Sequence, residues 1–150
     1  MAKTHVSIYA HIVFSTKQRL PMILPEFRDD LWAYMGGIAR DNRMEALAVG
    51  GTEDHVHLLL SLPATISIAK AVQLIKGASS RWVRETFKQA QAFAWQEGYG
   101  AFSVNISTVK KTIRYIEQQA EHHRDKSFQE EYVDFLKKHE IDYDERYVWG

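Results

Sequence analysis

Two histidines one residue apart, His55-Val56-His57, form the most specific local feature of the chain. In a strand, residues two apart project to the same side, so both imidazoles stand together while Val56, Leu58 and Leu60 face the core. Two neutral imidazoles at that separation can share one divalent metal. The competing reading is a pair of surface histidines on a solvated sheet face. A third ligand must come from elsewhere: Glu53 has the same parity if the strand reaches back to it, and Asp54 is better placed to support a histidine from behind. A helix supplies the other candidates. Tyr115 and Gln119 are four residues apart, so a hydroxyl and an amide oxygen emerge side by side. With His122 they stand about a quarter to a third of a turn from the apolar stripe Val109, Ile113, Ile116 and Ala120. The competing reading of Tyr115 is an amphipathic surface tyrosine. His123, nearer the edge of the stripe, reads as structural.

The elements that must carry these groups follow from periodicity and breakers. His5 to Thr16, rich in Val, Ile, Tyr and Phe, reads as a long strand closed by Pro21 and Pro25. Phe27, Leu31, Tyr34, Met35 and Ile38 recur at helical steps between Glu26 and about Asn42. Met44–Gly50 and His55–Leu62 read as strands joined by a short connection, Gly51-Thr52-Glu53-Asp54. Thr65 or Ser67 caps the next helix, whose apolar stripe is Ile68, Val72, Ile75, Trp82 and Val83. Its opposite face is basic and small. Ala101–Ile106 gives a further strand, and Ser107 or Thr108 caps a helix to about residue 123. An acidic helix spans about 128–138. Strand, helix, strand, strand, helix, strand predicts an α+β fold: a ferredoxin-like (split βαβ) antiparallel sheet with both early helices on one face, plus C-terminal helices. The whole of 1–150 reads as one domain, with the core over about 4–106 and the tyrosine-bearing helix over about 108–123.

Composition narrows the function classes. A chain of 150 residues, 45% apolar and 12% aromatic, can bury a core without a stabilising metal, and the absence of Cys removes disulfide and thiolate chemistry. Nineteen basic residues offset nineteen acidic ones, which argues against coating nucleic acid or membrane by bulk positive charge. The zero is a sum of opposites. Residues 66–88 carry Lys70, Lys76, Arg81, Arg84 and Lys88 against Glu85 alone, whereas 127–150 carry seven acids against Lys137, Lys138 and Arg146. No apolar run approaches a bilayer span and the start does not read as a signal peptide, so a cytoplasmic protein is the expectation.

Four stretches in order carry a family resemblance: DHVHLLL (54–60), VQLIKGASSRW (72–82), FAWQEGYGAFSV (93–104) and TIRYIEQQAEHH (112–123). Together with YAHIVFSTKQR (9–19) they resemble the single-tyrosine HUH (His-hydrophobe-His) transposases of the smallest bacterial insertion sequences, the IS200-like transposase family. The resemblance implies that His55 and His57 bind the metal, that Tyr115 is the nucleophile and that Gln119 is the third ligand. It implies Mg2+ as cofactor, with Mn2+ as a substitute, although two nitrogen ligands are unusual for Mg2+. It implies a homodimer, with sites assembled either within one chain or across two. It also implies a single-stranded or hairpin DNA substrate and a 5′-phosphotyrosine intermediate. The Lys76-Gly77 and Ser79-Ser80 segment resembles a family stretch and is expected to shape the active-site or DNA-binding surface.

Lys17, Arg19, Lys70, Lys76, Arg81 and Arg84 are the candidate DNA-binding residues, against the reading of an ordinary solvated helix face. Trp95 and Tyr99 are candidates for stacking on bases or for the core. The acidic C-terminal helix is expected to face away from DNA or to pack on a partner. Two alternatives remain at this point. One is a domesticated relative acting on chromosomal palindromes, the other a non-catalytic nucleic-acid-binding module. A metal-independent phosphodiesterase with paired H-x-[ST] motifs lacks its second half, because His5-Val6-Ser7 is the single instance.

Overall fold

The computed structural model describes residues 3–119, 126–146 and 148–149. Four strands, β1 (Tyr9–Ser15), β2 (Glu45–Gly51), β3 (His55–Ser61) and β4 (Gly100–Val104), form one antiparallel sheet in the order β2-β3-β1-β4. Helices α1 (Arg28–Asp41) and α2 (Ile68–Thr86) connect them in the βαββαβ order of the split βαβ arrangement. Two further helices follow: α3 (Val109–Glu117) and α4 (Phe128–Lys138). No helix of the described residues is long and apolar enough to cross a membrane.

Strand parity sorts the sheet into two faces. Ala10, Ile12 and Phe14 of β1 and Val56, Leu58 and Leu60 of β3 point to one side and make the main core with Leu31, Met35, Val72, Ile75 and Val83 of α1 and α2. Each fully buried Phe or Leu there contributes roughly 1.5–3 kcal/mol. His11, Val13, His55, His57 and Leu59 point to the other side. There α3 covers Ala48 and Leu59 through Val109 and Ile116, and α4 covers Val13 and Phe102 through Phe128, Tyr132 and Leu136. The expected first strand is shorter than predicted. Its N-terminal part leaves Val6 and Ile8 exposed, so the sheet ladder begins at Tyr9.

Helix α3 is broken at its C-cap Gln118, and the rest of the expected tyrosine helix, with His122 and His123, lies outside the described residues. Ser67 caps α2 by accepting from the Lys70 N–H at 3.0 Å, and Ser127 caps α4 by accepting from the Glu130 N–H at 3.2 Å.

Gly50 on β2 sets how closely α3 approaches. A Cβ there would stand 2.5 Å from the Ile116 carbonyl oxygen, a backbone atom that cannot step aside alone. Gly50→Ala is therefore expected to push α3 off the sheet and to lower the melting temperature by about 3–10 °C, checked by circular dichroism. An unchanged melting curve would show that α3 is not seated on Gly50.

Candidate active site

The turn before β3 orients the first histidine. The Thr16 N–H donates to the Asp54 carbonyl at 2.8 Å, and the Thr52 hydroxyl contacts Asp54 Oδ1 at 3.1 Å. His55 Nδ1 lies 2.8 Å from Asp54 Oδ1 and 2.9 Å from Thr52 Oγ1. A carboxylate on Nδ1 holds the proton there and leaves Nε2 to act as a ligand. Asp54 thus takes the supporting position its sequence neighbourhood suggested, whereas the expected ligand Glu53 is exposed and does not join the histidines, whose acidic neighbour is Glu131.

His57 is positioned differently. Its register partners are Val13 on β1 and Gly50 on β2, and the diagonal neighbour His11 reaches its ring: His11 Nε2 lies 2.8 Å from His57 Nδ1. Both rings are buried, and burial, reinforced by His57, holds the His11 pKa well below its ordinary value. A neutral imidazole can give or accept this bond. His57 can therefore keep its proton on Nδ1 and offer Nε2 as a lone pair.

The remaining groups come from α3 and α4. Gln119 Oε1 stands 3.1 Å from His55 Nε2 while its amide nitrogen donates to the Tyr115 carbonyl at 3.2 Å. Glu131 enters from the first turn of α4. Its Oε1 lies 2.9 Å from His57 Nε2 and 3.8 Å from His55 Nε2, and its Oε2 accepts the Tyr115 hydroxyl. The Tyr115 pKa is pushed well above its ordinary range, first by burial and then by the bond to the Glu131 carboxylate, so the phenol is protonated at rest.

This corrects the expectation for the acidic helix. It does not face away from the site: α4 lies across the histidine face of its own chain, because Phe128 and Tyr132 bury against that face and carry Glu131 inward. Tyr115 and the histidines meet within one chain.

The donor set fits a divalent ion. His55, His57 and Glu131 offer three ligand atoms within 4.8 Å of one another, all buried, and Gln119 Oε1 adjoins them. Neighbouring ligands at about 2.1 Å from an octahedral ion are about 3 Å apart. The 3.1 Å and 2.9 Å separations of His55 from Gln119 and of His57 from Glu131 match that edge. Glu131 also supplies the anionic oxygen that two imidazoles lack.

The basic candidates lie elsewhere. Helix α2 packs on the opposite side of the sheet from Tyr115. Lys76 donates to the carbonyls of Gln96, Glu97 and Gly98 at 2.7, 3.2 and 2.7 Å, and burial lowers its pKa to about 8. Arg84 donates to the Phe93 carbonyl at 3.1 Å. These two fasten the 93–98 loop onto α2. Arg19 lies 5.5 Å over the Trp149 ring, half-buried, and Lys17, Lys70 and Arg81 are exposed. Trp95 is core, its indole N–H donating to the buried Ser79 hydroxyl at 3.0 Å, and Tyr99 packs against the same core.

His11 and Glu131 were missed in the sequence. His11 is a polar residue of Tyr9–Val13 parity in an otherwise apolar strand. Glu131 falls three residues after Phe128 and four before Phe135, inside the apolar stripe of its helix.

Known proteins resemble this chain in sequence and in fold. The "ISDra2 transposase TnpA" of Deinococcus radiodurans is 30% identical over 114 residues, covering 73% of this chain and 81% of that protein. The transposase for insertion sequence element IS200 of Salmonella typhimurium is 28% identical over 126 residues, 81% of this chain and 82% of that one. A crystal structure described as a transposase from Deinococcus radiodurans R1 superposes with a TM-score of 0.62 at 28% identity, over 79% of this chain and 98% of that chain. A REP-associated tyrosine transposase bound to a REP hairpin shares the fold, with a TM-score of 0.55 at 16% identity over 77% of this chain and 68% of the other. The family model described as "Transposase IS200 like" matches residues 4–119, from before β1 through Gln119, and the chain belongs to that family.

Proposed function

We propose that this transposase cuts and rejoins single-stranded DNA at insertion-sequence ends through a 5′-phosphotyrosine formed on Tyr115. The observation that carries the reading is the convergence of Tyr115, His55, His57 and Gln119 on one carboxylate-lined cluster, with the tyrosine hydroxyl bonded to Glu131. In the forward step the Tyr115 oxygen forms a bond to phosphorus, the P–O3′ bond breaks, and the 3′-oxygen leaves and takes up a proton from solvent water to become a hydroxyl. Glu131 Oε2 accepts the proton that Tyr115 loses. Its Oε1 lies on the histidine side, 2.9 Å from His57 Nε2, so the carboxylate presents different oxygens to the tyrosine and to the histidine pair. Attack of a 3′-hydroxyl on the phosphotyrosine reverses the step. The ester energy is retained, and no nucleotide cofactor enters the balance.

His55, His57, Gln119 and Glu131 would hold the ion, Mg2+ or Mn2+, which when bound withdraws charge from the phosphate and stabilises the leaving oxygen. Two imidazoles are unusual for Mg2+, which prefers oxygen, and Glu131 and Gln119 supply oxygens beside them. His11 and Asp54 orient the two rings from behind. The substrate is single-stranded or hairpin DNA, with Lys17 and Arg19 as candidates for phosphate contacts away from the cut. The reading includes a cytoplasmic homodimer on the strength of the resemblance.

Incubation with labelled single- and double-stranded oligonucleotides carrying the flanking genomic DNA, with Mg2+ or Mn2+, followed by a denaturing protein gel, tests the reading. A shifted protein–DNA band with single strands alone is expected. Cleavage confined to duplex DNA, or none with either metal, would contradict it.

A further inference from the structure

Beside Tyr115 a groove of about 580 Å³ opens between β4, α3 and α4. Tyr115 and Glu131 line it, so a phosphate attacked by Tyr115 has this space next to it. Its charge is not that of the acidic helix beside it. Lys126 and Asp134 neutralise each other in an ion pair, and Glu131 is turned inward to the tyrosine and His57. Lys111 and Lys138 are exposed on the groove and make no ion pair among the described residues. Lys111 precedes Tyr115 by four residues, one turn or about 6 Å along the axis of α3, on the same face. The floor is aromatic: Phe135 stacks on Phe102 with ring centroids 5.1 Å apart, and the Asn105 amide stands at the rim.

Lysines on the walls, a half-buried aromatic surface and an amide at the rim suit an unpaired nucleotide better than a duplex, whose bases are already stacked. Resting on the cleavage reading above, we propose that this groove, and not the basic face of α2, holds the unpaired nucleotides adjoining the scissile phosphate. Lys111 and Lys138 contact their phosphates and Phe135 takes a base.

The test is binding of a short fluorescein-labelled oligodeoxythymidylate by anisotropy over a series of KCl concentrations, with the protein otherwise intact. Each phosphate contact contributes about 0.7 to the slope of log affinity against log salt for single strands. Lys111→Ala/Lys138→Ala is expected to flatten that slope by about 1.4 and to weaken binding at low salt by about tenfold or more. Mn2+ binding by electron paramagnetic resonance and the melting temperature stay as in the parent. Lys70→Ala/Arg81→Ala, on the opposite face, leaves the slope unchanged. An unchanged slope in the groove variant, or an equal loss in the α2 variant, overturns the proposal. Because binding needs no cleavage, the outcomes are separable: an absent covalent band defeats the cleavage reading, whereas a normal band with an unchanged slope defeats the groove alone.

Discussion

Replacing Tyr115 with Phe is expected to abolish the covalent protein–DNA band, a loss on the order of 10⁴-fold or more, as removal of a nucleophile does elsewhere. The change deletes one oxygen from a half-buried side chain that also packs near His11, His57 and Phe135. The ring remains, so α3 keeps its seat on Ile116 and Val109. Binding of an oligonucleotide hairpin is expected to be unchanged. The Glu131 carboxylate loses one hydrogen-bond donor, a structural cost of about 1–3 kcal/mol. A covalent band of undiminished yield would remove Tyr115 from the chemistry and leave the buried hydroxyl as a structural donor.

The second large effect concerns the histidine pair. His57 touches His11 through one nitrogen and Glu131 through the other, and it is fully buried. His57→Ala removes a ligand and strands both neighbours, so loss of activity alone would not distinguish a binding role from a folding role. His57→Asn keeps a polar group within reach of His11 while removing the Nε2 ligand. For this variant we expect Mn2+ affinity to fall by about 100-fold or more, since even removal of a group behind a ligand costs 10–100-fold. Metal-dependent cleavage is expected to disappear with it, while the melting temperature without metal drops by only a few degrees, about 2–6 °C. Titration with Mn2+ by electron paramagnetic resonance reads the first effect and calorimetry the last. Wild-type Mn2+ affinity in this variant would assign the histidines to the core and not to an ion.

Much of this site was legible because its parts repeat with the period of their own element. His55 and His57 share a face by the strand period of two, and Val56, Leu58 and Leu60 are buried against α1 and α2 as that period demands. Tyr115 on α3 and Gln119 just past its end are four residues apart and still reach the same cluster, although helical geometry is interrupted at Gln118 between them. What periodicity does not carry is which face of one element meets which face of another. Glu131 belongs to a run of acids that reads as a solvated face, and only the packing of Phe128 and Tyr132 on the sheet turns it inward. His11 lies more than forty residues from His57 in sequence, and their contact follows from the pairing of β1 with β3.

The basic helix taught the converse. Lys76 and Arg84 lie on the polar sector of α2, where solvent was expected. The 93–98 loop folds over that sector instead and presents carbonyl oxygens that need donors. Buried acceptors of this kind cost roughly 1–3 kcal/mol each when unpaired, which is a structural reason for cations at those positions. The neutral total charge therefore conceals three populations: cations fastening a loop, exposed cations on two faces, and one acid drawn into the reactive cluster.

The most direct measurement is mass spectrometry of the covalent species. After reaction with a single-stranded oligonucleotide, nuclease trimming and trypsin digestion, the account predicts a 5′-linked nucleotide on the peptide that begins at Tyr115, directly after Arg114. A modification on any other residue would contradict it. So would a cleaved strand bearing a free 5′-phosphate with no protein attached at any time.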